Sequence, residues 1–186
     1  MYEPITASSR EPHYLQMSAE VLPAIPRQPL QVVLDNIRSA FNVGSIFRTS
    51  DAGAIAHMHL CGMTAYPPNK KLEKTALGAF DYVPWTYHAT TADALERLRG
   101  EGVVCVAVEA LDSAVPHSAF PWPRGSAIVF GNEVTGISPE VLSLCDATVR
   151  IPMRGYKNTI NVATAFGVVM YEILRQWESG TPEAGD

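Results

Sequence analysis

Three short, mostly apolar runs constrain the fold of this chain more than any other feature of its sequence. They are Leu30 to Leu34, Val103 to Val108 and Ala127 to Phe130, and each ends abruptly at polar residues or at glycine. Apolar runs without alternation are typical of strands that are buried on both faces of a sheet. Stretches with helical periodicity separate them, so the sequence predicts an α/β fold, a mostly parallel sheet with helices on both faces.

The third apolar run opens the segment Ile128 to Ser138, IVFGNEVTGIS. Gly131 and Gly136 permit positive φ angles and a close approach to a bound molecule, and Ser138 is a suitable N-cap for a following helix. By itself the segment is as compatible with an ordinary strand-to-helix turn as with a ligand loop. Ligands of parallel sheets bind beyond the carboxyl ends of the strands, which predicts a shared functional rim. That rim would contain Asn36, Glu109, Gly131 to Glu133 and Met153.

Length and composition favour one domain, because 186 residues with 47% hydrophobic content can bury a single core. Residues 1–29 contain five prolines and are expected to form an extended arm. Residues 30–178 would form the domain and residues 179–186 a flexible tail. No apolar run reaches the roughly 18 residues of a membrane-spanning helix, and the polar start lacks the pattern of a leader, so we expect a cytoplasmic protein without membrane contact.

A metal site is not expected from the cysteines or the histidines. The three cysteines are odd in number, far apart and flanked by apolar residues, which suits reduced thiols. His57 and His59 share one face of a predicted strand, but no third ligand is near in sequence, so partly exposed strand histidines fit better.

The net charge of -5 argues against bulk attraction to nucleic acid. Local basic clusters, Lys70 to Lys74 and Arg150 to Lys157, could still hold a few phosphates, although solvated surface charge is the commoner explanation. We expect Cys61 to Asp81 to form a long loop that contacts substrate.

Two helices are predicted from 3.6-residue periodicity. In the first, Val43, Phe47 and their neighbours form one buried stripe, Arg48 points away from it, Asn42 caps the helix and Gly53 ends it. In the last, Asn158 or Thr159 is the expected cap. Its apolar stripe is wider than one sheet face requires, so a homodimer through this helix is favoured, with deeper core burial as the alternative. The stripe consists of Val162, Ala165, Phe166, Val169, Met170, Ile173, Leu174 and Trp177.

Three stretches of the chain, taken together, resemble a known family. NIRSAFNVGSIFRTSDAGA, IVFGNEVTGIS and RIPMRGYKNTINVATAFGVVMYE resemble, in order and spacing, the three signature motifs of the SpoU/TrmH family within the SPOUT class of RNA methyltransferases. The resemblance implies a deep C-terminal trefoil knot that forms a pocket for S-adenosylmethionine, and an obligate homodimer. It also implies 2'-O-methylation of a ribose in RNA.

The resemblance also implies roles for particular residues. The cofactor would contact Val108, Glu109, Gly131, Ile151, Met153, Thr159 and Ile160. Apolar side chains would sandwich an adenine while backbone groups read its edge. The catalytic set would be Arg48, Asn42, Glu133 and Asn161.

The family proposal makes Arg48 a general base, yet an arginine normally stays charged far above neutral pH. Arg48 could instead hold the adjacent phosphate and stabilise the developing alkoxide. Asn42 and Asn161 would orient Arg48 or the ribose, and Glu133 would fix the loop or Asn42.

The expected substrate is RNA, with tRNA favoured over rRNA. No additional RNA-binding domain is expected before the catalytic one, so recognition would use the dimer surface, the arm, and the clusters Lys70 to Lys74 and Arg150 to Lys157. A different reading is a catalytically silent RNA-binding dimer, against which the presence of Arg48, Glu133 and Asn161 argues. A third is methylation of a small molecule or of an rRNA nucleotide.

Overall fold

The computed structural model describes residues 26–179, which form a sheet of seven strands covered by helices. The strands are β1 (Gln28–Asp35), β2 (Ile55–Cys61), β3 (Trp85–His88), β4 (Cys105–Val108), β5 (Val115–Pro116), β6 (Ala127–Phe130) and β7 (Ala147–Arg150). The helices are α1 (Ala40–Ala52), α2 (Lys70–Ala76), α3 (Thr91–Gly100), α4 (Pro139–Ser143) and α5 (Val162–Ser179), with a 3₁₀ turn at Ala79–Asp81.

The strand order is β3-β2-β1-β6-β4-β7-β5, and every pairing between these strands is parallel. Alternate residues of the central strands point to opposite faces. Leu34 and Phe130 pack into the core beneath α1, α2 and α5. Val33 and Val129 pack with residues of α3 and α4 on the other face. The predicted parallel sheet with helices on both faces is therefore confirmed.

Helices α1 and α5 lie side by side and run in the same direction. The start of α1 is hydrogen-bonded to the start of α5, and Gly53 at the end of α1 lies against Met170. On its other side α1 packs closely on α2, where a Cβ on Gly44 would collide with the carbonyl oxygen of Leu72. The first turns of α1 and α5 thus lie together at the carboxyl end of the sheet.

The predicted boundaries were wrong at several places. Strand β1 begins at Gln28, so residues 28 and 29 are strand, while residues 1–25 of the expected arm and 180–186 of the expected tail lie outside the described residues. The expected loop from Cys61 to Asp81 contains α2 and a 3₁₀ turn. Helix α2 is short, and the Asn69 side chain caps it by accepting hydrogen bonds from the amides of Lys71 and Leu72.

The apolar stripe of α5, predicted to form a dimer surface, is buried within the chain itself. Phe166, Val169, Met170 and Ile173 are fully buried in this chain's own core, so the alternative of deeper burial accounts for the stripe. Other apolar residues of α5, Val168 and Tyr171, are exposed. None of the helices within residues 26–179 is long and apolar enough to cross a membrane.

His57 is partly exposed as expected, but His59 is more enclosed than predicted. His59 is only 4% exposed, and its ring nitrogens lie 2.9 Å from Gln31 Oε1 and 3.0 Å from Nε2 of His88. His88 reaches this position because β3 pairs with β2, a neighbour that the sequence did not reveal. Across residues 26–179, no group of three or more His, Cys, Asp or Glu side chains is arranged to hold a metal ion.

Candidate active site

A cavity of about 650 Å³ lies at the carboxyl ends of β4, β6 and β7, beside the first turns of α1 and α5. This volume is within the range of small-molecule and cofactor sites. Seven residues that the sequence analysis assigned to a cofactor all line it: Val108, Glu109, Gly131, Ile151, Met153, Thr159 and Ile160. Asn36 of the predicted rim lines a neighbouring cavity instead.

Glu133 joins the loop after β6 to the start of α1. Its carboxylate accepts hydrogen bonds from the amides of Arg38 (2.7 Å) and Ser39 (3.1 Å) and from Nδ2 of Asn42 (2.8 Å). Burial raises the pKa of Glu133, but these hydrogen bonds outweigh burial and the pKa lies below its ordinary value. The charged carboxylate therefore acts as a fixed anchor at a helix N-terminus, where negative charge is stabilised.

Asn42 and Asn161 extend this contact to the third motif. Nδ2 of Asn161 donates to Oδ1 of Asn42 at 3.0 Å, and Asn42 in turn donates to Glu133. Oδ1 of Asn161 accepts from the amides of Ala163 and Thr164. One hydrogen-bonded chain thus connects residues from all three stretches.

Both predicted helix caps in this region were wrong. Ser39, whose hydroxyl accepts from the amide of Asn42, is the N-cap of α1, which frees the Asn42 side chain for Glu133. Asn161 begins α5 in place of Asn158 or Thr159. In each case the observed cap is the residue immediately before the helix, and the sequence offered several polar residues that could serve.

Glu109 supports the loop that forms the cavity wall. Its Oε2 accepts from the amide of Ile137 at 2.8 Å, and its Oε1 accepts from the amide of Ala110 at 2.9 Å. Gly136 has φ +67°, and a Cβ there would lie 2.6 Å from Oε2 of Glu109. Glycine is required at this position both for the backbone conformation and for the approach of the carboxylate.

The segment 151–160 contributes Ile151, Met153 and Asn158 to Ile160 to the cavity lining, and its backbone is largely free. Within the described part of the chain, these residues make no backbone hydrogen bond to another backbone group. Backbone amides and carbonyls that lie next to a cavity and have no hydrogen-bond partner are available to a ligand. The side chains of Ile151, Met153 and Ile160 add an apolar lining.

Arg48 does not line this cavity. It is exposed on the outer face of α1, six residues after Asn42, as its periodicity predicted, and the hydrogen-bonded chain does not include it. Arg38, to which the sequence analysis assigned no role, does line the cavity, and so does Asn132, which belongs to the predicted rim Gly131 to Glu133. Asn132 fixes the loop by donating from Nδ2 to the carbonyl of Asn36 at 2.8 Å. Arg38 lies three residues beyond the carboxyl end of β1, and this position is the signal that could have identified it.

Comparison with known proteins agrees with this geometry. Residues 29–171 match the SpoU rRNA Methylase family, which is more than half of the chain. The chain belongs to the SpoU family. The tRNA (guanosine(18)-2'-O)-methyltransferase of Escherichia coli strain K12 is 33% identical over 153 residues, covering 81% of this chain and 65% of that relative. This SpoU family chain therefore spans less than two thirds of that relative's length.

Two solved structures of SpoU-like proteins are close to this one. The SpoU methyltransferase AviRb from Streptomyces viridochromogenes, in complex with the cofactor AdoMet, has a TM-score of 0.75 and 28% identity, covering 88% of this chain and 66% of its own. A structure concerned with the 2-OH methylation of C/U34 on tRNA has a TM-score of 0.74 and 29% identity, covering 81% of this chain and 97% of its own.

Proposed function

We propose that this SpoU family protein transfers a methyl group from S-adenosylmethionine to a ribose 2'-oxygen in RNA, with tRNA as the favoured substrate. The observation that carries the proposal is the cavity at the carboxyl end of the sheet, beside which Asn42, Glu133 and Asn161 are hydrogen-bonded to one another. The relatives support both parts, since one methylates tRNA and another is bound to AdoMet.

The residues of the cavity suit this cofactor. An adenine ring would lie between apolar side chains such as Ile151 and Ile160, and the free backbone of residues 151–160 would hydrogen-bond to its edge. When bound, S-adenosylmethionine supplies a methyl group on a positively charged sulfur, which a nucleophilic oxygen can attack.

The 2'-hydroxyl releases its proton to solvent water as its oxygen takes the methyl group, so the protein's contribution is to position the ribose. Asn42 and Asn161 are fixed by Glu133 and by the start of α5, so they can orient the ribose without reorganisation. We assign Arg48 to the substrate phosphate and to the developing negative charge on the oxygen, because the planar fork of a guanidinium suits phosphate and anionic oxygens.

Exposed apolar side chains around Arg48 support a homodimer as part of this proposal. Arg48 shares the exposed side of α1 with Phe41, seven residues earlier, and the adjacent α5 exposes Val168 and Tyr171. Burying these apolar side chains against a second copy would stabilise a dimer. The trefoil knot and a cytoplasmic location remain predictions that accompany the family assignment.

The decisive experiment incubates the protein with methyl-labelled S-adenosylmethionine and with separate tRNA and rRNA pools. Label in tRNA only is the expected result, and nuclease digestion with mass spectrometry would then give a 2'-O-methylated nucleoside and its position. rRNA is the second candidate, because the family description names it. Cofactor binding without transfer to either pool would support the silent RNA-binding dimer, and failure to bind the cofactor would overturn the proposal.

A further inference from the structure

Three aromatic side chains form an exposed cluster at the edge of the sheet. Tyr66 precedes α2, and its ring lies 4.6 Å from that of Tyr87 and 6.3 Å from that of Trp85, both on the edge strand β3. Tyr66 is nevertheless 45% exposed and Tyr87 41% exposed. The inner side of the Tyr66 ring is therefore covered by the other two rings, while its outer side faces solvent.

This aromatic cluster is held in place before any partner binds. The hydroxyl of Tyr87 donates to the carbonyl of Gly62 at 3.2 Å, which ties β3 to the turn after β2. Mutual packing restricts the Tyr66 ring, and the Asn69 cap fixes the start of α2 three residues later. A preorganised aromatic surface loses little conformational freedom when a flat ligand stacks on it.

The aromatic cluster is continuous with the candidate active site. Gly62 lines a second cavity of about 640 Å³, which shares Asn132 and Gly136 with the first cavity. The side chain of Asn36, another lining residue, accepts a hydrogen bond from the amide of Met63 at 3.1 Å. A surface path thus leads from the active-site cavity, past Asn36 and Met63, to Tyr87 and Tyr66.

The charge beside the aromatic cluster is positive although the chain as a whole is acidic. Residues 62–76 contain three lysines, Lys70, Lys71 and Lys74, and one glutamate, whereas the whole chain has a net charge of -5. All three lysines are exposed on α2. Exposed aromatic rings next to lysines are the features with which proteins bind unpaired nucleotides, the rings stacking on bases and the cations holding phosphates.

We propose that Tyr66 and Tyr87 form a stacking platform for an unpaired base of the substrate RNA near the nucleotide that is methylated, with the α2 lysines holding the phosphates of the same strand. This inference rests on the proposed function, because it names the RNA-binding surface of that active site. The segment between β2 and β3 would thus recognise a single-stranded stretch of the RNA.

The test compares Tyr66→Ala with Tyr66→Phe, which retains the ring, in the full-length protein. Filter binding measures the affinity of each variant for the RNA pool that the wild type methylates, or for total tRNA if it methylates neither pool. Where methyl transfer occurs, KM and kcat are measured as well. We expect Tyr66→Ala to weaken RNA binding about tenfold and to raise KM with little change in kcat, and Tyr66→Phe to behave like the wild type. Lys71→Gln should reduce the salt dependence of binding, whereas Arg97→Gln, which removes an exposed cation from α3, should not.

Cofactor binding and thermal unfolding, measured on each variant, separate a folding defect from a binding defect. Where Tyr66→Ala is unstable, Tyr87→Ala provides the same comparison. Equal RNA affinity for wild type and both alanine variants would overturn the platform, even if methyl transfer were observed. A change in oligomeric state with unchanged RNA affinity would also overturn the platform, because the cluster would then be a contact between copies of the chain. Ring-dependent RNA binding without methyl transfer would leave the platform standing and overturn the catalytic proposal.

Discussion

Nδ2 of Asn161 donates a 3.0 Å hydrogen bond to Oδ1 of Asn42, a residue 119 positions earlier in the chain. The bond joins the first turns of two parallel helices and continues through Asn42 to Glu133. Each asparagine amide is thereby fixed in orientation, since its oxygen and its nitrogen have different partners. The arrangement links the geometry of the proposed active site to the packing of α1 against α5, and it can be tested at each of its members.

Removing the carboxylate of Glu133 should destabilise the protein and inactivate it. Glu133→Ala leaves the amides of Arg38 and Ser39 and the side chain of Asn42 without their acceptor. A loss of about 1–3 kcal/mol in the free energy of unfolding is expected, which lowers Tm by about 2–4 °C for each kcal/mol in a chain of this size. Calorimetry measures it. Glu133→Gln retains one acceptor oxygen and should lose less; equal Tm values for all three proteins would contradict the anchoring role.

Replacing Arg48 should abolish methyl transfer without affecting the cofactor. Because Arg48 lies outside the cavity, S-adenosylmethionine should bind Arg48→Ala with wild-type affinity, while transfer to RNA falls at least about 100-fold. Isothermal titration and single-turnover kinetics give the two quantities. Arg48→Lys should recover part of the rate if a positive charge on the phosphate is what matters. Near-normal turnover by Arg48→Ala would refute both roles considered for this residue.

The glycine of the cavity loop provides a matched pair of substitutions. Gly136 and Gly125 both have positive φ angles, +67° and +85°, but an added Cβ would meet Glu109 only at Gly136 and finds open space at Gly125. Both alanine variants should lose stability through backbone strain, by about 1–2 kcal/mol. Only Gly136→Ala should also displace the loop and weaken S-adenosylmethionine binding, by about tenfold or more. Equal cofactor affinity in the two variants would show that contact with Glu109 does not shape the cavity.

Three packed histidines, of which His59 is buried, should make stability fall at mildly acidic pH. Burial, followed by the nearby His57 and His88, lowers the pKa of His59 to about 3, and burial also lowers the pKa of His57 and of His88. In the unfolded chain an imidazole has a pKa of about 6.5, so the unfolded state binds more protons below that pH. The protein is therefore expected to lose stability as pH falls below about 6.5, with His59 alone contributing about 1 kcal/mol between pH 7 and 5.5.

Chemical denaturation across this pH range measures the effect. The slope of unfolding free energy against pH should be smaller in His59→Gln than in the wild type, whatever the absolute stability of the variant. Identical slopes would mean that His59 carries a proton equally well in the folded and unfolded chains. Because Gln31 and Thr86 also contact this histidine group, the slope is a safer readout than Tm at one pH.

The sequence alone determined where most of the buried strands and the helices α1 and α5 lie, but not α2, which falls in a segment predicted to be a loop. Apolar runs such as Ala127 to Phe130 can only be strands covered on both faces, and the spacing of Val43 and Phe47 requires a helix that leaves Arg48 exposed. Ser138 capped α4 as predicted. These properties are local, because they depend on periodicity and on the residues at the ends of elements.

Only the tertiary structure decided which residues meet. Periodicity shows that a face is buried but not against what, so the stripe of α5 predicts a dimer surface although the core of the same chain covers it. His88 joined His59 through a strand pairing, and the cap of α5 became Asn161 because of the path that the chain takes into that helix. Contacts between residues far apart in sequence depend on the order of strands in the sheet, which no short segment of sequence encodes.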